Sequence, residues 1–326
     1  MSELHKFLFD GLPVRGLLVR ITDDWREILR RRAANTQTGA WPGPVAELVG
    51  EMTAAGVLLQ GGITFDGALV LQIFGDGPVK VAVTEVQSDL RLRATATVTG
   101  AVAPHAPLSA LIDVHGRGRC AITLDPTRRL PKQQAYQGVV PLTDANGQQL
   151  PSIAAIINHY MRQSEQIETV LVLAADEQAA CGLMIQRLPT QGENNLAQSN
   201  LADDAEDTDD PFRRIVLLAQ SVKREELLTL DADTLLRRLF WQEKVTRFEP
   251  LVDADGPHFA CSCSRERMAA MLRSLGEDEV RDVLREQGRV EVSCDFCGQQ
   301  ERFDALDVVR LFAPAQVVDG GFHPMQ

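Results

Sequence analysis

The chain has 326 residues, 44% of them hydrophobic and 24% charged, and a formal net charge of -12, so it exceeds one average domain and holds ample material for a core. The acidic balance excludes the basic face that nucleic-acid phosphates need and makes anionic membrane surfaces poor partners. No apolar run approaches the roughly 20 residues of a bilayer span, and six cysteines are too few for a disulfide scaffold, so a reducing, cytoplasmic setting is expected.

The opening MSELHKFLFDGLPVRG carries early acidic residues and no long apolar core, unlike a signal peptide. Residues 14–21 are apolar around a basic pair and read as a strand. Pro44 then opens a helical pattern with Val45, Leu48, Val49, Met52 and Leu59 on a common face. Residues 67–74 and 79–86 are strand-like runs joined by the turn Gly75-Asp76-Gly77-Pro78. Residues 91–98 alternate with period two and should have one wet face. Further strands are predicted at 121–124, 138–142, 169–173 and 182–188, and a helix at 152–165 with Ile153, Ile156, Ile157 and Tyr160 on one side. Strands in succession with interspersed helices predict an α+β core over a mainly antiparallel sheet in residues 1–195, because the βαβ alternation of a parallel sheet is missing.

Residues 190–210 are polar and strongly acidic, which predicts a flexible linker with no chemistry of its own. Beyond them helical periodicity returns: Ile215, Leu218 and Val222 suit one helix, and Leu235, Leu236, Leu239 and Phe240 another that Asp231 or Asp233 could cap. Two helices cannot make a core, so their apolar faces must lean on a neighbour. Residues 196–250 are therefore an acidic linker plus a helical segment open to conditional unfolding.

The C-terminal part, 251–326, holds four of the six cysteines as Cys261-Ser-Cys263 and Cys294-Asp-Phe-Cys297. Two close thiol pairs, brought together by one intervening segment, suit a tetrahedral zinc with four sulfur ligands. Zinc ribbons normally place two residues between paired cysteines, and the first pair has one. A disulfide within that pair would close a very small ring, and strained, exposed disulfides are the labile ones. A thiol switch and a purely structural zinc knuckle both fit this spacing. Between the pairs, 265–275 and 277–287 read as short helices with Met268, Met271, Leu272, Leu275, Val280, Val283 and Leu284 on a shared apolar side. Strands are predicted at 289–293 and 299–303. Such a unit has little core and should depend on its metal to fold.

Cys261-Ser-Cys263-Ser-Arg-Glu-Arg followed by Cys294-Asp-Phe-Cys297-Gly resembles the signature of the bacterial redox-regulated holdase family, the heat-shock chaperone of thirty-three kilodaltons. The resemblance extends to Val14-Arg15-Gly16, Gly75-Asp76-Gly77-Pro78, Tyr136-Gln137-Gly138-Val139-Val140, Ser164-Glu165-Gln166 and Glu225-Glu226-Leu227-Leu228-Thr229-Leu230, in the expected order. The acidic stretch is longer than usual, and Met268 stands where some relatives carry another cysteine. The resemblance implies one zinc per chain, held in the reduced state by Cys261, Cys263, Cys294 and Cys297. It further implies that oxidation pairs Cys261 with Cys263 and Cys294 with Cys297, expels zinc and frees apolar surface for unfolding client proteins, without ATP or enzymatic turnover. It also implies a homodimer on oxidative activation, with residues 1–195 as the client-binding and dimerisation core.

Other residues carry weaker expectations. Arg265 and Arg267 either add positive charge beside the first cysteine pair or are plain surface arginines. Cys120 and Cys181 are isolated and expected to be small buried hydrophobes. His258 lies three residues before Cys261 but is not needed as a ligand, His115 has no accompanying nucleophile, and Gly75-Asp76-Gly77 reads as a hairpin turn rather than a phosphate loop. Two rival functions fit parts of the pattern: a zinc-ribbon binding protein with a permanent structural metal, and a thiol-disulfide oxidoreductase using Cys294 and Cys297. The latter lacks the βαβ context of such motifs.

Overall fold

A computed structural model describes residues 1–128, 134–189 and 210–313. The acidic stretch at 190–209 lies outside the described residues. The chain forms two compact units, Met1–Cys261 and Ser262–Gln326.

The first unit opens with strands β1 (Glu3–Phe9) and β2 (Val14–Ile21), then helices α1 (Asp23–Ala34) and α2 (Gly43–Gly62). Strands β3 (Gly67–Phe74), β4 (Val79–Gln87) and β5 (Arg91–Val98) follow, and a short helix α3 (Leu108–Ile112) precedes β6 (Arg119–Pro126) and β7 (Tyr136–Pro141). Helix α4 (Ile153–Tyr160) continues into a π-helical turn, Met161–Glu165, so the periodicity seen over 152–165 is real but underwound at its end. Strands β8 (Thr169–Ala175) and β9 (Ala180–Arg187) lead to helices α5 (Pro211–Gln220), α6 (Arg224–Thr229) and α7 (Ala232–Phe240). Three short strands close the unit: β10 (Val245–Arg247), β11 (Leu251–Val252) and β12 (His258–Phe259).

Two six-stranded sheets result. The first runs β10-β1-β2-β9-β8 with β11 also on β1, and the second runs β12-β5-β4-β3-β6-β7. Pairing is antiparallel throughout both, except where His258 and Phe259 run parallel to Arg91 and Leu92. The expected α+β class and antiparallel character are both present.

Helix α2 lies between the sheets and is buried on nearly all sides from Val45 to Gln60, not on the single face its periodicity suggests. A helix apolar all round belongs at the centre of a core. Gly50 permits this closeness: a Cβ there would stand 2.4 Å from that of Ala175. The opposite face of the first sheet has its own apolar layer of Phe7, Phe9, Val14, Leu18, Leu183 and Ile185. Helices α5 to α7 cover it with Phe212, Ile215, Ala219, Leu227, Leu235, Leu239 and Phe240, so the middle helices lean on a neighbour as their pattern requires. Asp231 caps α7 by accepting from the Thr234 backbone N–H.

The second unit contains α8 (Arg265–Leu275), α9 (Glu277–Gln287), the hairpin β13 (Val290–Ser293) and β14 (Gln300–Phe303), and α10 (Ala305–Phe312). Among the described residues its buried apolar cluster is small: Met268, Ala269, Leu272, Val280, Val290, Val292, Phe303 and Val308. Met271 and Leu275, expected on the shared apolar side, face outward at 46% and 56% exposure. That leaves an even thinner core than the sequence suggests.

Candidate metal centre

Each cysteine pair is delivered by a local device. Cys261 and Cys263 lie on the extended run between β12 and α8, whose start is fixed by Ser264 accepting from the Arg267 N–H. Cys294 and Cys297 form the knuckle between β13 and β14. There the Gly298 N–H donates to the Cys294 carbonyl at 2.8 Å, and the Cys294 N–H to the Gln299 carbonyl at 2.8 Å. Gly298 takes φ 71°, a left-handed turn that a side chain rarely adopts.

The sulfurs of Cys261, Cys263, Cys294 and Cys297 all lie within 4.8 Å of one another. A tetrahedral zinc with sulfur ligands at about 2.3 Å places them about 3.8 Å apart, so the cluster needs little adjustment to hold such an ion. Cys263 and Cys297 approach to 3.3 Å between sulfurs, across the two pairs. None of the six cysteines is joined in a disulfide. Three sites are half-buried and Cys297 is buried, which leaves the sulfurs within reach of small oxidants.

Arg265 has another task than charging this site. Its guanidinium donates to Glu301 at 3.1 Å, to Asp307 at 2.7 Å and to the Arg302 carbonyl at 2.8 Å, and it stacks on the Phe303 ring. It staples α8 to β14 and α10. Arg267 is exposed. From distant sequence, Arg93 on β5 pairs with Glu85 at 2.6 Å, and the pairing of β12 on β5 brings its charge within influence of Cys261. Burial works against that positive charge, but Glu85 and the Cys261 sulfur outweigh it and hold the guanidinium pKa above its ordinary value. No local motif could have flagged Arg93; only the pairing of β12 on β5 brings it near.

The remaining candidates fall outside the cluster. His258 is turned to the Gly256 carbonyl through Nδ1 at 2.8 Å. Cys120 and Cys181 are fully buried in apolar surroundings, and burial pushes each thiol up to about 12. Asp76 in the Gly75-Asp76-Gly77 turn accepts from the backbone N–H groups of His115 and Arg117, which makes it a loop brace rather than a phosphate cradle. Cys294-Asp-Phe-Cys297 sits between two antiparallel strands and not at the head of a helix, where redox Cys-x-x-Cys pairs gain their reactivity.

Comparison with known proteins converges on one family. The family model described as Hsp33 protein matches residues 2–304. A 33 kDa chaperonin from Chromobacterium violaceum is 42% identical over 95% of this chain and 94% of its own length. One from Methylobacillus flagellatus is 38% identical over 98% and 97%. Among solved structures, the 33 kDa chaperonin of Thermotoga maritima superposes with a TM-score of 0.67 at 19% identity, covering 95% of this chain and 98% of that one, which is a likeness of fold.

Proposed function

This chain belongs to the Hsp33 family, a family of chaperones, and on that footing we propose that it is a redox-regulated, ATP-independent holdase of the cytoplasm. The observation that carries the proposal is the gathering of four thiol sulfurs within 4.8 Å at the edge of a unit with a very thin core. Zinc bound by Cys261, Cys263, Cys294 and Cys297 would supply a cross-link and keep the sulfurs as thiolates at neutral pH.

Peroxide or hypochlorous acid converts a thiolate to a sulfenic acid, and a neighbouring thiolate displaces hydroxide from it to give a disulfide. Each pair of thiolates gives two electrons to one oxidant molecule, whose oxygen leaves as hydroxide or water, together with chloride when the oxidant is hypochlorous acid. We assign the pairs as Cys261–Cys263 and Cys294–Cys297. Once the sulfurs are spent they no longer tie α8 to the β13–β14 knuckle, and the eight buried apolar residues among those described there are too few to hold a fold.

In this reading, residues 251–326 are the switch, 196–250 the linker with its conditional helices, and 1–195 the core that binds clients and dimerises in the active state. Detachment of α5 to α7 would uncover the layer around Phe7, Phe9, Leu18 and Ile185. That apolar surface suits the exposed side chains of unfolding proteins. The test measures zinc content and suppression of client aggregation on one sample, before and after peroxide at elevated temperature. Loss of one zinc per chain together with gain of holding activity, both reversed by reductant and zinc, is the expected result. Zinc retained after oxidation would make the site structural, and catalytic reduction of insulin disulfides would favour an oxidoreductase. Peptide mapping that finds Cys263 joined to Cys297 would overturn the assigned pairing.

A further inference from the structure

Three sequence landmarks that the cysteine chemistry leaves unused meet at one cavity of the first unit: Arg15 of Val14-Arg15-Gly16, Tyr136 of Tyr136-Gln137-Gly138 and Glu165 of Ser164-Glu165-Gln166. The cavity measures about 110 Å³, and Leu59, Ile63, Ile122, Met161 and Met184 make most of its wall apolar. Tyr136 is 51% exposed, so the cavity opens to solvent on that side.

Its charged groups are unequally matched. The Tyr136 and Tyr160 hydroxyls donate to the Glu165 carboxylate at 3.0 and 3.2 Å, so that negative charge has donors of its own. Gly138 makes room for them, since a Cβ there would stand 2.2 Å from the Tyr160 hydroxyl. Arg15 has no such counterpart. Its Nε donates to Gln186 Oε1 at 2.8 Å and its Nη2 joins there, while the buried Gln186 donates to Thr169 at 2.8 Å. A neutral amide orients the guanidinium but does not offset its charge. No carboxylate among the described residues pairs with Arg15, and burial pulls its pKa below the ordinary value. The β1–β2 register puts Lys6 opposite Leu17, on the same face and one diagonal step from Arg15, and burial and Arg15 lower its pKa too. In a chain of net charge -12, two half-buried cations side by side at an apolar cavity call for an anion that the fold does not supply.

Nη1 and the second hydrogen of Nη2 form the edge of Arg15 that Gln186 leaves open, and such an edge matches the two oxygens of a carboxylate. Gly62 keeps the approach clear: a Cβ there would lie 3.4 Å from Arg15 Nη2 and 3.1 Å from Met184 Cε. The cavity is smaller than the roughly 150 Å³ that admits benzene, which suits an unbranched chain of about four to six carbons better than a ring.

We propose that this cavity binds a small amphipathic carboxylate, with its oxygens on the outer edge of Arg15, Lys6 adding charge, and its aliphatic chain against Ile122 and Met184. A free short-chain fatty acid and the C-terminal residue of a peptide both carry this chemistry.

The experiment titrates hexanoate into the reduced, full-length chain with isotope-labelled methionine methyl groups. It follows the Met161 and Met184 resonances by NMR, assigned through Met161→Leu and Met184→Leu. Hexanol carries the same chain without the charge, hexylammonium with the opposite charge, and N-acetylnorleucine as the end of a peptide. Hexanoate should shift both methyl groups to saturation with a Kd of about 0.1–1 mM, in keeping with its eight non-hydrogen atoms. Hexanol should bind about tenfold more weakly, the scale of one charge-assisted pair. Arg15→Gln should bring hexanoate down to the level of hexanol and leave hexanol within about twofold, and Lys6→Gln should weaken hexanoate by about two- to threefold. Raised salt should narrow the hexanoate-to-hexanol ratio in the unaltered chain, a readout independent of any effect of Arg15→Gln on folding. Tighter binding by N-acetylnorleucine than by hexanoate would assign the site to peptide ends and weaker binding to free acids, and both support a carboxylate pocket. Absence of saturable shifts at Met161 and Met184 would overturn the inference. So would hexanol or hexylammonium binding as tightly as hexanoate, a ratio indifferent to salt, or an unchanged hexanoate affinity in Arg15→Gln.

Discussion

Six cysteines share one functional group and divide into two chemistries by their surroundings. Cys120 and Cys181 sit among apolar side chains, and burial raises their thiols to about 12, so at pH 8 they stay protonated and unreactive. With zinc chelated, iodoacetamide at pH 8 should label the four clustered cysteines and spare these two until denaturant is added, as peptide mass analysis would reveal. Cys181→Ala should leave oxidant-driven zinc release unchanged and lower stability by about 1 kcal/mol, since it removes one small buried group. Glu51 on α2 is a second residue defined by its surroundings. Desolvation raises its carboxyl from 4.5 to about 7, against the pull of Arg224, and Glu47 adds repulsion. Its folded pKa lies above the unfolded one, so the native state takes up a proton between pH 4.5 and 7. Stability is therefore lost as pH rises through that window, and the penalty is full above it. Glu51→Gln should raise stability at pH 8 by about 1–2 kcal/mol, allowing for partial solvation, and should gain nothing at pH 4, as urea titrations at the two pH values would show.

At the level of elements, the cover formed by α5 to α7 packs its apolar side on the first sheet, with Arg224 and Arg187 making polar ties between them. Leu235 is 1% exposed and lies in the layer against Phe7, Phe9 and Ile185. Leu235→Ala should cost about 2–4 kcal/mol and raise holding activity in the reduced, zinc-loaded protein, measured by light scattering of a heat-unfolding client. A variant that is destabilised yet silent would separate this cover from client binding. The periodicity of α5 and α7 was plain in the sequence, because Ile215 and Leu218 in one and Leu235, Leu236, Leu239 and Phe240 in the other recur at helical spacing beside charged neighbours, although Val222, read with the first set, lies past the end of α5. Helix α6 was not plain: Arg224-Glu225-Glu226 reads as a solvated run, although Leu227 is buried and Arg224 reaches Glu47 at 3.1 Å and the Ala175 carbonyl. Strand β1 escaped as well, since His5 and Lys6 interrupt its apolar residues and its partners come from residues 14–21 and 245–252. Long-range pairing leaves no trace in a local window. The four clustered cysteines were legible because their chemistry is carried by residue type and spacing, whereas Arg93 was hidden for the same reason as β1.

For the whole molecule, the two units should respond unequally to loss of metal. Chelation of the reduced chain is expected to abolish amide-exchange protection over α8 to β14 while β2, β3, β4 and β9 keep theirs, because the second unit has only a thin core of its own. Equal loss of protection in both would mean that the metal supports more than its own unit. Among the described residues no helix is long and apolar enough to cross a membrane. The first sheet also has a consequence for synthesis. Strand β2 pairs with β9, from Val14 opposite Arg187 to Ile21 opposite Ala180, and β1 finds its outer partners only at Val245 and Leu251. At about 5–20 residues per second, the roughly 160 residues between β2 and β9 take on the order of ten to thirty seconds to leave the ribosome. Throughout that interval the nascent hairpin offers an unpaired edge beside Phe7 and Phe9. A ribosome stalled near residue 170 should therefore present a chain that aggregates on release, while one stalled well past residue 260 should present a folded sheet.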